Sequence, residues 1–374
     1  MDGWSDLGAA YYQLGRFDDS AHALQRGLEA HGENASLYRG LALAYNAQGD
    51  FPSEAAALQK YIALDGSEAA AHHRLGLLFA VLDPEKALPE LMASAKLDEA
   101  YDPAVQTMRS ALDFALLQGN ETDRLVIIGR GLGLVSEWQL AREAFAHAVQ
   151  ADGKNAEAWA WLGEAKQHLG QDGSGELVRA EALDPFSANI RALSGLYWKR
   201  QNDAQKALAQ FQWAVAIEPH NPAFQAALGD AYVFAGNLPP ALAAYQRATE
   251  LAPTEVAYWK MLALFSAQYS FQVEEVGIPA ARQALALAPD TAASYDLLGW
   301  TYLAAANISL AEENFRAALR LDPDYALAHL HLGMAYLQTN EMDAAREHLS
   351  RAQSLDPEGA QGQAAANLLA LYFP

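Results

Sequence analysis

Prolines recur along this chain at a fixed spacing: Pro185, Pro219, Pro253, Pro289, Pro323 and Pro357 lie 34, 34, 36, 34 and 34 residues apart. Glycines keep the same period, from Gly8 to Gly76 with Ala42 between them, Gly129 to Gly163, Gly195 to Gly229 and Gly299 to Gly333. A constant period of this length means one supersecondary unit stacked repeatedly, because each copy has to present the same faces to its neighbours. The 374 residues are therefore read as an array that grows by repetition, not as two or three independent globules.

Inside one period the apolar positions have helical spacing. Between 222 and 255, Leu228, Gly229 and Tyr232 form one stripe and Ala241, Tyr245, Ala248 and Leu251 a second, separated by the turn sequence Ala235-Gly236-Asn237-Leu238-Pro239. Each unit is expected to be a helical hairpin, with units starting near 1, 35, 69, 122, 156, 188, 222, 256, 292 and 326. Counting places from those starts, place 8 is always Gly or Ala. Glycine inside a helix costs roughly 1 kcal/mol against alanine, so a small residue kept at that place implies close approach of the two helices. Phe145, Phe211, Tyr245, Phe315 and Leu349 on the second helices are expected to fill the space opposite.

Trp4, Leu7, Gly8, Tyr11, Gly15, Phe17 and Leu24 in the first unit, and Tyr295, Leu298, Gly299, Tyr302, Ala311, Phe315, Ala318 and Pro323 in the ninth, resemble the tetratricopeptide repeat. The resemblance implies an all-α, right-handed solenoid of stacked antiparallel hairpins. It divides the chain into N-terminal units over 1–101, an extra helix over 102–121, further units over 122–359 and a closing helix over 360–374. The rhythm breaks at three places, 102–121, 171–175 and 266–279.

Charge and composition remove several functions. Lys and Arg number 25 against 46 Asp and Glu, a net charge of −21, which argues against nucleic acid and anionic membrane as partners. The absence of cysteine excludes disulfides and thiolate chemistry. No apolar run approaches the ~18 to 20 residues of a membrane span, and Met1-Asp2-Gly3-Trp4 carries neither the basic nor the apolar part of a signal peptide. No two histidines stand four apart as paired ligands on one helix face, and His329 and His331 point to different sides. Gly129-Arg130-Gly131-Leu132-Gly133 follows no strand, so it is not a dinucleotide loop, and Asp172-Gly173-Ser174-Gly175-Glu176 is read as a loop between short helices. No catalytic constellation, metal site or cofactor motif remains, so the chain is expected to be non-catalytic.

In tetratricopeptide arrays the first helices line a concave face that holds peptides or protein segments, and the resemblance places residues 5, 9, 12 and 13 of each unit there. Read along those places, two zones emerge. The middle one is polar and partly basic, with Arg130, Glu164, Gln167, His168, Lys199 and Arg200, and suits an acidic segment because guanidinium groups bond carboxylates through two donors. The C-terminal one is apolar, with Val233, Phe234, Leu264, Ala267, Trp300, Leu303, Leu330, Met334 and Leu337, and Trp300 is its expected anchor. The expectation is a scaffold holding a protein or peptide segment in this groove. Two alternatives stay open: a sensor or carrier enclosing a small apolar or acidic ligand, and a module self-associating through the apolar C-terminal helix with Leu368, Leu369, Leu371, Tyr372 and Phe373.

Overall fold

The structure is a computed structural model that describes residues 2–373, with the side chain of Asp2 left aside. Met1 and Pro374, the ends of the expected first unit and closing helix, lie outside the described residues. Every regular element among the described residues is helical. The chain forms two compact units, 1–197 and 198–374, and the boundary falls inside one helix.

The first unit holds α1 (Asp2–Gln13), α2 (Phe17–His31), α3 (Ala35–Gln48), α4 (Phe51–Leu64), α5 (Ala69–Leu82), α6 (Pro84–Leu97), α7 (Asp102–Leu116), α8 (Glu121–Leu134), α9 (Trp138–Ala151), α10 (Ala156–His168), α11 (Ser174–Leu183) and most of α12 (Ala188–Arg200). In the second follow α13 (Ala204–Ile217), α14 (Pro222–Phe234), α15 (Leu238–Leu251), α16 (Val256–Gln268), α17 (Ile278–Leu287), α18 (Ala292–Ala304), α19 (Ile308–Leu321), α20 (Ala326–Gln338), α21 (Met342–Leu355) and α22 (Ala360–Tyr372). Within each unit, helices pair as antiparallel hairpins and each hairpin packs on the next, which makes a helical repeat solenoid.

Three devices repeat and explain why the period is so strict. The first is helix contact at place 8. A Cβ built on Gly129 would sit 2.5 Å from the Phe145 ring, and one on Gly299 would sit 2.6 Å from Phe315. Both rings are fully buried, so the space has no slack. The second is the turn inside each hairpin. The residue at place 15 takes positive φ at Gly15, Gly49, Ser136, Gly170, Asn202, Gly236, Ser270, Ala306 and Asn340, while Asp83 between α5 and α6 stays at a φ of −157°. The next amide reaches back five residues, for example Asn237 N to Tyr232 O at 2.8 Å and Asn307 N to Tyr302 O at 2.8 Å. This is the left-handed helix ending that satisfies the last free carbonyls.

The third device ties one hairpin to the next. At place 4 a long polar side chain donates to the backbone carbonyl six residues earlier, in the inter-hairpin loop. Trp159 Nε1 bonds Gly153 O at 3.0 Å, Gln225 Nε2 bonds Pro219 O at 3.2 Å and Trp259 Nε1 bonds Pro253 O at 2.9 Å. Tyrosines at place 11 add a cross-link to the preceding hairpin: Tyr45 with Gln25, Tyr232 with Gln212, Tyr302 with Arg282 and Tyr336 with Arg316.

The irregular segments are absorbed locally. Helix α7 packs on α6 and α8 while α5 still touches α8 and α9, so the extra helix lies beside the stack. Arg74 on α5 closes that junction by bonding both oxygens of buried Glu54 at 2.7 and 3.0 Å and Glu137 at 3.1 Å. Near 171–175, Gly173 approaches the backbone of Gly163 too closely for any side chain, which lets the short α11 dock. Over 266–279 a π-helical turn, Val273–Gly277, is inserted ahead of α17 and takes up the extra length.

Candidate interaction surfaces

Open seats appear between successive first helices. In the first unit, α1 and α3 frame a cleft of about 250 Å³ lined by Ser5, Ala9, Tyr12, Ser36, Arg39 and Leu43 among others. A second, of about 260 Å³, lies between α3 and α5 and shares Arg39 and Leu43 with the first. In the second unit, α14 and α16 frame a cleft of about 230 Å³ lined by Asp230, Val233, Tyr245, Met261, Leu264, Phe265, Gln268 and Tyr269. Each seat takes places such as 5, 9 and 12 from one helix and places 2, 6 or 9 from the next.

Charge is arranged differently in the two units. Between α3 and α5, Tyr61 donates to Glu68 at 2.6 Å and Arg39 bonds the other oxygen of Glu68 at 3.1 Å. That hydrogen bond, with burial, pushes the Tyr61 hydroxyl up to about 12. Asn46 donates to Glu54, which Arg74 already holds, so both arginines of this cleft face carboxylates. Between α14 and α16, Tyr245 donates to Asp230 at 2.5 Å, and burial and this bond keep the phenol protonated well above its ordinary range.

The sequence-derived middle zone looks different once folded. Arg130 ion-pairs with Glu157 at 3.3 Å and lies 5.3 Å over the Trp161 ring, and Trp161 Nε1 donates to the same Glu157. Its charge therefore faces a carboxylate of the next helix. Glu164 is only 3 % exposed and bonded to His168 at 3.1 Å. His168 in turn stacks on Trp138 with ring centroids 3.6 Å apart. Gln167 bonds the Gly163 carbonyl on its own helix. Lys199 and Arg200 are exposed on the last turn of α12, in the second compact unit.

The apolar zone is divided too. Val233 and Leu264 line the α14–α16 cleft, and Leu264 is 48 % exposed. Phe234 is half-buried at the end of α14. Leu303, Ala267 and Leu330 are buried. Trp300 is half-buried, stacked on His331 at 4.5 Å, and His331 bonds buried Asp296 at 2.9 Å. Met334 and Leu337 pack partly against the core of the second unit. His329 points elsewhere, to His348 at 2.9 Å between the Nδ1 atoms.

Ser36 and Ala70, small residues at place 2 of the following first helix, line the first two clefts, whereas Glu157 stands at that place after Arg130 and pairs with it. The N-terminal clefts, which lie outside both sequence-derived zones, are marked by Ala9 and Leu43 at place 9 followed by these small residues. Among the described residues, no helix is long and apolar enough to cross a membrane.

Models of the tetratricopeptide repeat match residues 5–81, 297–360 and 200–265, together more than half of the chain. The chain belongs to the tetratricopeptide repeat family. Among solved structures, it is similar to a chain of the APC/C hetero-tetramer Cut9–Hcn1, at 14% identity and TM-score 0.46, over 98% of this chain and 95% of that one. It is also similar to PilF of Pseudomonas aeruginosa, at 16% identity and TM-score 0.43, over 58% of this chain and 100% of that one. YrrB, described as a TPR protein with an unusual peptide-binding site, is 17% identical with TM-score 0.38, over 51% of this chain and 97% of that one. No curated protein matches the chain. Membership of this family makes protein–protein interaction the coarse function of the fold.

Proposed function

We propose that this chain is a non-catalytic scaffold that holds a protein segment along the first helices of its hairpins. The segment is seated in the α1–α3–α5 clefts, in the α14–α16 cleft, or in both. The observation that carries the reading is the pair of exposed leucines at place 9, Leu43 at 51 % and Leu264 at 48 %, each set in a cleft between consecutive first helices. Apolar side chains left open in a preformed concavity offer burial without ordering the receptor, which keeps the entropic cost of binding on the segment alone.

The reading is tested by selecting binders from a displayed random dodecapeptide library and measuring them against Leu43→Asp and Leu264→Asp. Both sites are exposed, so thermal stability should stay near wild type, while affinity at the cleft in use falls on the order of tenfold or more. Peptides bound equally well by both variants would overturn it.

A further inference from the structure

The cleft between α14 and α16 differs chemically from the others. Its lining includes Asp230, half-buried, whose Oδ1 accepts the 2.5 Å bond from Tyr245. Among the described residues no Lys, Arg or His forms an ion pair with Asp230, whereas Glu54 and Glu68 of the first unit's clefts each have an arginine. Around it stand Tyr245, Phe265 and Tyr269, with ring centroids 5.2 Å apart for the first pair and 5.6 Å for the second. Met261, Val233 and Leu264 complete an apolar approach to the carboxylate.

We propose that this cleft receives a basic side chain, lysine or arginine, of the bound segment, with its aliphatic stem on Val233 and Leu264 and its cationic head on Asp230. The proposal rests on the scaffold reading and adds the chemistry of the partner. An anion set among apolar side chains matches a cation on an apolar stem, and aromatic rings beside it add attraction for that cation. Tyr245 is the positioning residue, since its hydroxyl holds one carboxylate oxygen and leaves the other for the guest. The charge around the cleft favours the same guest: residues 222–374 carry 7 basic and 16 acidic groups, and such a field draws cations toward it.

The probes are n-butylguanidinium and n-butylammonium, with pentanoate and n-pentanol as anionic and neutral controls. They are titrated into the full chain and read from the methyl signals of Met261, Val233 and Leu264. The two cations should give saturable shifts there that the controls do not. Asp230→Asn, which keeps an acceptor for Tyr245 and preserves shape, should weaken them on the order of tenfold. Tyr245→Phe should weaken them less and leave the controls unchanged. Equal shifts from pentanol, or titrations unchanged in Asp230→Asn, would overturn the proposal. The scaffold reading fails separately: library peptides that need Leu264 but no basic residue sink the cation site and keep the scaffold, while cations that bind without any selected peptide do the reverse.

Discussion

Ala306 sits at a φ of 58°, where most of its counterparts are glycine or asparagine. An L-residue in the left-handed region costs roughly 1–2 kcal/mol, and glycine's extra freedom in the unfolded chain gives back about 0.5–1 kcal/mol of any gain. The first effect wins, so Ala306→Gly should raise stability by about 0.5 kcal/mol, measured by denaturant unfolding. The same substitution at Ala305, where φ is −83°, should lower it. Gly299→Ala makes the opposite point. The added methyl meets Phe315 at 2.6 Å with no room to yield, and overpacking of this kind costs roughly 1–3 kcal/mol. Trimming the ring with Phe315→Leu should recover part of that loss in the double variant, and simple additivity would show that the contact is not what matters. These positions were readable in the sequence, because a glycine kept at one place in successive helices carries a helical cost that only a close neighbouring helix offsets. The burial of Glu164 and Leu303 was not, since place within a hairpin does not say what a neighbouring hairpin covers.

Hairpins also carry a pH dependence. His348, on α21, faces His329 and Tyr336 from α20, Arg316 and Glu312 from α19 and Glu347 on its own helix, and burial followed by the His329 charge holds its proton affinity below the ordinary value of 6.5. His73 on α5 is shifted the same way by burial and by Arg74, and its Nδ1 is buried without a hydrogen bond. Lowered values mean that the unfolded chain binds protons first. Stability is therefore full above about 6.5 and falls as pH drops below it, through the lower folded values. His73→Phe combined with His348→Phe should flatten the decline in melting temperature on acidification from pH ~6.5; a slope equal to wild type would show that carboxylates control it. The helices themselves were legible from the 34-residue period, since the turn, the place 8 contact and the apolar stripes agree. The tie from place 4 to the carbonyl six residues back, made by His72, Trp159, Arg191, Gln225, Trp259 and His329, was not legible, because Trp, His, Gln and Arg share a long donor side chain but no common hydrophobicity.

Because contacts run between neighbouring hairpins, a local fault should stay local. Hydrogen exchange on Gly299→Ala should show lost protection in α16 to α21, with α1 to α6 unchanged; a uniform loss would mean one cooperative globule. The sites were harder to read than the fold for the same reason. A seat belongs to two hairpins at once, and its lining includes a residue 27 positions further along, as Ser36 lies beside Ala9 and Glu157 pairs with Arg130. The loop ties recur at six-residue reach and the tyrosine links at a separation of 20. Since the fastening of every copy is written inside itself and its predecessor, an array of this kind can lengthen by duplication of a single stretch of coding sequence. Recognition can then diversify afterwards, one small exposed residue at a time, without refolding what came before.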